Sequence, residues 1–187
     1  MRIPDQETID RLLAVIPERS PFGLRDHAMI RLALYTGLRV AELTGLTIQD
    51  LYTDTPRKML DLPYQIAKGR RSRRINLSEK AQTAIQDLVD FLHLRGLNTQ
   101  PDAPILQDRR HQKLPPREVQ RAIQKYREIA NLDLDITPHS LRHAFATDCA
   151  KNGPIFMVQR LLGHKNIDST TIYLHASQAD YEKMVAR

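Results

Sequence analysis

Cysteine is nearly absent from this chain. Cys149 is the only one, so neither a disulfide framework nor a cysteine-based zinc site can be built from it. Long apolar runs are missing too, and none approaches the roughly 18 residues of a spanning helix. The first residues, Met1-Arg2-Ile3-Pro4-Asp5, lack the apolar core of a signal peptide. There is no internal repeat, no low-complexity tract and no clear linker. These absences point to a reduced, cytoplasmic protein without a membrane segment.

What is present is one domain's worth of chain. The sequence has 187 residues, 41% of them hydrophobic, enough for a single core without staples. Lysine and arginine number 28 against 22 acidic residues, a net charge of +6. That excess favours a polyanionic partner, although charge alone does not separate nucleic acid from an anionic membrane.

The pattern is mainly helical with a small β-element. Ile9, Leu12, Leu13 and Ile16 recur at helical spacing before Pro17. Residues 25–35 are almost continuously apolar and predict the buried central helix. Gly37 interrupts it, and a short helix carries Arg39, Val40, Glu42 and Leu43. Residues 47–77 lose the helical period and contain Pro56, Pro63 and Gly69. Pieces at 58–65 and 73–77 predict a β-hairpin or three-stranded sheet around a basic turn. Ser78 caps a helix with Ala81, Ile85, Leu88 and Leu92 on one face, and residues 98–116 read as a polar loop. Val119, Ala122, Ile123, Tyr126 and Ala130 mark another helix. Thr137-Pro138 is a cap with proline at the first helical position, and Leu141, Ala144, Phe145 and Asp148 share one face of the helix it opens. Asn152-Gly153 stops that helix and Pro154 starts another, ending at Gly163. Two short helices, near 169–175 and 178–185, close the chain.

Four segments carry chemistry. Lys68, Arg70, Arg71, Arg73 and Arg74 crowd the basic turn, which is either a solvated charged loop or a finger that contacts DNA phosphates. His139, Arg142 and His143 fall on one helical face. A zinc pair is disfavoured there, since no glutamate follows the first histidine and Arg142 lies between the two. The plain alternative is a salt-bridged arginine with hydrogen-bonded histidines. His164 follows Gly163, and Tyr173 lies nine residues on; singly, these are a helix cap and a packing residue. Arg39 opens a helix whose end is already partially positive, an odd place for a cation unless it binds an anion; Glu42 at i+3 can hold its guanidinium.

Taken in order, Arg39, Lys68, His139, Arg142, His164 and Tyr173 resemble the tyrosine recombinase (phage integrase) family. The resembling segments are residues 36–46, 67–77, 137–147 and 161–175, so the likeness covers nearly the whole chain. It implies a catalytic-domain fold of the α+β class, mainly helical with a small antiparallel sheet. Residues 25–175 would be the core of a single domain spanning 1–187. Residues 176–187 would form a tail that packs on a neighbouring protomer or folds back on its own domain. The family's separate N-terminal DNA-clamp domain is expected to be missing.

The resemblance also implies a function: site-specific cleavage and rejoining of double-stranded DNA. Tyr173 would attack the phosphodiester and form a 3′-phosphotyrosyl link. Arg39 and Arg142 would clamp the non-bridging oxygens, and His139 would assist the nucleophile's proton transfer. Lys68, favoured over Lys58, would protonate the leaving 5′-oxygen. His164 would donate to the phosphate, with Glu42 and His143 in support. Arg70, Arg71, Arg73 and Arg74 would contact DNA. No cofactor, metal or small-molecule substrate is implied, and a tetramer on DNA is. Two other readings remain: a relaxing topoisomerase with the same chemistry, and a DNA-binding regulator, which would have no need of Tyr173 or Lys68.

Overall fold

A computed structural model describes residues 3–69, 72–154, 158, 161 and 162. Asp5 accepts a hydrogen bond from the Thr8 amide and opens helix α1, Gln6–Ala14. Ser20 caps helix α2, Pro21–Thr36, by accepting from the Gly23 amide, with proline at the first helical position. This helix begins a turn earlier than the apolar run at 25–35 suggests, because Ser20-Pro21 is itself a start signal. It ends at Gly37, whose φ of +59° places it in the left-handed region.

Two short helices come next, α3 at Val40–Gly45 and α4 at Ile48–Leu51. The β-element is the smaller of the two expected forms. Strands β1, Met59–Asp61, and β2, Arg74–Asn76, pair antiparallel with Leu60 opposite Ile75. The ladder is extended by the Leu62 amide donating to the Arg73 carbonyl and the Leu77 amide donating to that of Lys58. Strand β1 stops well short of 65, because the chain turns at Pro63, whose carbonyl accepts from the amides of Ile66 and Ala67.

Helix α5, Glu79–Leu94, starts at the expected Ser78 cap. The segment 98–116 is polar in composition but is not a solvated loop. Ala103, Ile105, Leu106 and Leu114 are buried, and the buried Gln107 amide ties together the carbonyls of Asn98 and Pro104. Helix α6, Pro116–Ile129, buries Val119, Ala122, Ile123 and Tyr126, as its spacing indicates. Helix α7, Pro138–Asn152, begins at Thr137, which accepts from the Ser140 amide. Val158, Leu161 and Leu162 are helical as well.

The core is built from these faces. Helix α2 packs chiefly on α5 and also touches α7 and α6. Leu12, Met29, Leu32, Leu88 and Phe91 are wholly enclosed. A smaller cluster joins Ala146 of α7 to Val158 and Leu162, flanked by Phe145, Cys149 and Ala150. Leu161 itself packs against the main core. Helix α7 is buried on more than the one face expected, taking in Arg142, His143 and Ala146 besides Leu141 and Ala144. Its polar residues therefore need partners inside the protein.

Candidate DNA-cleavage site

The end of α2 and the middle of α7 are brought together by one residue with no side chain. A Cβ built on Gly37 would lie 2.2 Å from the Phe145 ring. Position 37 thus excludes larger residues twice over, by its φ and by this contact. The close approach lets Arg142 reach back across 105 positions of sequence. Its Nη1 donates to the Gly37 carbonyl, and its Nη2 donates to the Leu162 carbonyl at 2.7 Å. Arg142 is only 4% exposed, so these bonds fix a guanidinium that would be costly to bury unpaired.

Arg39 stands two residues beyond Gly37, at the N-cap of α3. Its placement there is resolved by Glu42, which is 1% exposed. One carboxylate oxygen accepts from the Arg39 amide at 2.9 Å and the other from Arg39 Nη1 at 3.0 Å. The acidic residue in the first turn thus offsets the clash between a cation and the helix N-terminus. Arg39 makes no other side-chain hydrogen bond among the described residues, which leaves most of its fork available to an anion.

Glu42 also takes a second arginine. Arg73 reaches it with Nη1 at 3.0 Å and Nη2 at 2.7 Å, and its Nε donates to the Leu161 carbonyl at 2.8 Å. The Lys68 amide approaches the same carboxylate at 3.4 Å. Burial pushes the Glu42 pKa upward, but the Arg73 hydrogen bonds, the Arg39 amide and both cations outweigh it and hold the carboxyl at about 2.

His139 and His143, one turn apart on α7, bring their Nε2 atoms to 2.9 Å, with the rings set edge to face. Two neutral imidazoles at this distance share one proton, donor on one side and acceptor on the other. Desolvation pushes His143 down to about 4, with His139 and Arg142 adding to the effect. His139 is also lowered, first by desolvation and then by the cations of Arg142 and Arg39.

The sequence-based candidates therefore divide. Arg39, Glu42, His139, Arg142 and His143 come together, and Lys68 is exposed on the turn whose amide points at Glu42. Arg73 lies apart from the exposed part of the basic run. The basic run groups it with the DNA-contacting residues, yet its side chain is 7% exposed and turned inward onto Glu42. The physical reason is strand alternation, which sets Arg73 and Arg74 on opposite faces of the hairpin. Arg74 is exposed and paired with Asp61 at 2.6 Å. Arg70, Arg71, His164 and Tyr173, the tail 176–187 and the helices expected near 169–175 and 178–185 lie outside the described residues.

Among the described residues, no group of three or more His, Cys, Asp or Glu side chains is placed to hold a metal ion. A surface cavity of about 550 Å³ lies elsewhere, between α1 and residues 131–134. No described helix is long and apolar enough to cross a membrane.

A mainly helical domain with a small two-stranded sheet is also the fold of solved DNA recombinases. The crystal structure of XerA recombinase superposes with a TM-score of 0.75 at 26% identity, covering 100% of this chain and 65% of that one. The Tn1549 transposon integrase, solved with circular intermediate DNA, shares the fold with a TM-score of 0.79 at 21% identity, covering 100% and 65% of the two chains. By sequence, residues 3–180 match the Phage integrase family, and the chain belongs to it. Tyrosine recombinase XerD of Halalkalibacterium halodurans is 30% identical over 181 residues, 95% of this chain and 59% of that protein. Tyrosine recombinase XerC of Salmonella typhi is 33% identical over 172 residues, 91% and 54% of the two chains. The chain thus spans somewhat under two thirds of the length of these relatives.

Proposed function

We propose that residues 1–187 form one catalytic domain that cleaves and rejoins double-stranded DNA at specific sites through a covalent link to Tyr173. The observation that carries this reading is that Glu42 holds Arg39, while the carbonyls of Gly37, two residues before Arg39, and of Leu162 hold Arg142, which is on the same helix as the paired His139 and His143.

Phosphoryl transfer places charge on the non-bridging oxygens in the transition state. Arg39 and Arg142 present two pre-set guanidiniums to those oxygens, the charge stabilisation that metal ions supply in other phosphoryl-transfer enzymes. Because Glu42 and two backbone carbonyls already fix them, little reorganisation accompanies the reaction. The phenol of Tyr173, with an ordinary pKa of about 10, is protonated near neutrality. His139 stays neutral there and takes the phenol proton as the oxygen attacks phosphorus. His143, held at about 4 chiefly by desolvation, is neutral near pH 7 and orients the His139 ring. The P–O5′ bond breaks as the Tyr O–P bond forms, and Lys68 gives a proton to the leaving 5′-oxygen. His164 donates to the phosphate. The phosphotyrosyl bond retains the energy of the original linkage, so a 5′-hydroxyl of another strand can reverse the step.

Arg70, Arg71 and Arg74 contact the DNA backbone around the site. Strand exchange pairs two duplexes, and four copies of the chain assemble on them, in the cytoplasm. The relaxing topoisomerase reading requires no such assembly.

A nicked suicide duplex, incubated with chelator and resolved on a denaturing gel, tests the proposal. The wild-type chain is expected to give a covalent protein–DNA band, and Tyr173→Phe is expected to bind without one. Equal adduct from both proteins would remove Tyr173 from the reaction. Binding without adduct from either would leave a DNA-binding regulator.

A further inference from the structure

We infer that Arg73 is a positioning residue that locks the Arg39 helix and the Lys68 turn to the backbone at Leu161. This deepens the function proposed above and rests on it.

The elements that must be held in register are individually weak. Helix α3 is six residues long, too short to be stable alone. Lys68 sits on an exposed turn beside Gly69, whose φ is +72° and where an added Cβ would meet no atom of the described residues within 4 Å. Neither element fixes its own side chain to the precision that phosphoryl transfer needs. Glu42 joins them, since its carboxylate accepts from Arg39 and lies against the Lys68 amide. Arg73 then joins Glu42 to the carbonyl of Leu161. The neighbouring carbonyl, Leu162, is held by Arg142. Two arginines from separate elements thus grip consecutive carbonyls immediately before Gly163-His164.

The geometry asks for arginine specifically. Its Nε and two Nη atoms serve a carboxylate and a carbonyl at once, which the single ammonium of lysine cannot do with the same fork. At 7% exposure, each of the three Arg73 nitrogens is bonded inside the protein, to Glu42 and to the Leu161 carbonyl. Its neighbour Arg74 is exposed and provides the natural comparison.

The test compares Arg73→Gln, Arg73→Lys and Arg74→Gln with the wild-type chain, each first checked for a native circular dichroism spectrum. Single-turnover cleavage by Arg73→Gln is expected to fall about 100-fold, the scale of a misplacement near 1 Å, with Arg73→Lys in between. If Arg73→Gln does not fold, the lysine variant carries the same comparisons. On a substrate with sulfur at the bridging 5′-position, which leaves without protonation, the deficit is expected to narrow about tenfold, because part of it is a misplaced Lys68. The salt slope of duplex binding, measured in a Tyr173→Phe background, is expected to stay unchanged for Arg73→Gln and to fall by about one for Arg74→Gln.

A salt slope lowered by about one in Arg73→Gln would make Arg73 a phosphate contact and overturn the inference. Unchanged cleavage, or a deficit that sulfur does not narrow, would overturn it as well. One arm needs no DNA: exchange of the Lys68 amide is expected to rise about tenfold in Arg73→Gln and not in Arg74→Gln. If the wild-type chain forms no adduct, the proposed function fails on that result alone. Amide exchange then still decides whether Arg73 holds the Lys68 turn.

Discussion

Replacing Glu42 with glutamine removes a charge that two arginines are folded around. The carboxylate is 1% exposed and accepts from Arg39, Arg73 and two backbone amides. Its pKa is held near 2 against an ordinary 4.5, a difference worth about 3 kcal/mol at neutral pH. The sign is set by the depressed value. This stability is fully present above 4.5 and is lost as pH falls towards 2, and about 2 kcal/mol of it survives near pH 3.5. Glu42→Gln leaves both guanidiniums without their counter-charge and is expected to cost at least about 3 kcal/mol at pH 7. For a domain of this size that corresponds to a fall in Tm of roughly 6–12 °C. Chemical denaturation of both proteins at pH 7 and near pH 3.5 checks it. The gap between them should shrink in acid as the carboxyl of the unfolded wild-type chain protonates below 4.5. A gap below about 0.5 kcal/mol at pH 7, or one that widens in acid, would show that Glu42 is not held as a buried carboxylate.

Other perturbations separate the remaining parts. Gly37→Ala forces a Cβ to within 2.2 Å of the Phe145 ring at a positive φ. It is expected to cost about 2–4 kcal/mol and to slow DNA cleavage beyond what lost stability explains, because it displaces the carbonyl that holds Arg142; a stable variant with unchanged cleavage would contradict this. His143, held near 4 against 6.5 when unfolded, stabilises the fold above 6.5 and progressively less as pH falls towards 4. His143→Gln should therefore flatten the pH dependence of stability between pH 7 and 5 by about 1–2 kcal/mol, as read by denaturation; an unchanged slope would mean that His143 takes up its proton as readily in the fold as in the unfolded chain. Phe91 is fully enclosed, and Phe91→Ala should cost about 3–5 kcal/mol with DNA-binding specificity intact once the protein is folded, a loss measurable by denaturation.

Much of the fold is legible because local and tertiary signals agree. Ser78 and Thr137-Pro138 mark helix starts that the backbone uses, and the apolar spacing of α6 matches its buried face. The failures are physical too. The apolar run of α2 draws attention to residue 25, although Ser20-Pro21 is a complete start signal ahead of it. The segment 98–116 looks polar, yet four apolar residues anchor it and the Gln107 side chain satisfies backbone groups that solvent would otherwise serve. A glutamine that replaces water in this way has no compositional signature.

The site is legible as a set of residue types, less so as geometry. Arg39 paired with Glu42 is an i, i+3 relation and can be read directly. The second arginine on Glu42 cannot be read from local spacing, because Arg73 is 31 positions away. The clue available is alternation, which separates Arg73 from Arg74 across the two faces of the hairpin. The basic run looks uniform, and the strand splits it into an inward arginine and an outward one.

We propose that the chain becomes covalently attached to DNA through the oxygen of Tyr173. The most direct measurement is to trap the adduct on a nicked duplex, digest both protein and DNA, and locate the nucleotide remnant by mass spectrometry. The expected result is a 3′-phosphate linkage on the peptide containing Tyr173, with none on the other tyrosines. A remnant on a different residue, or a cleaved strand with a free phosphate and no modified peptide, would contradict it.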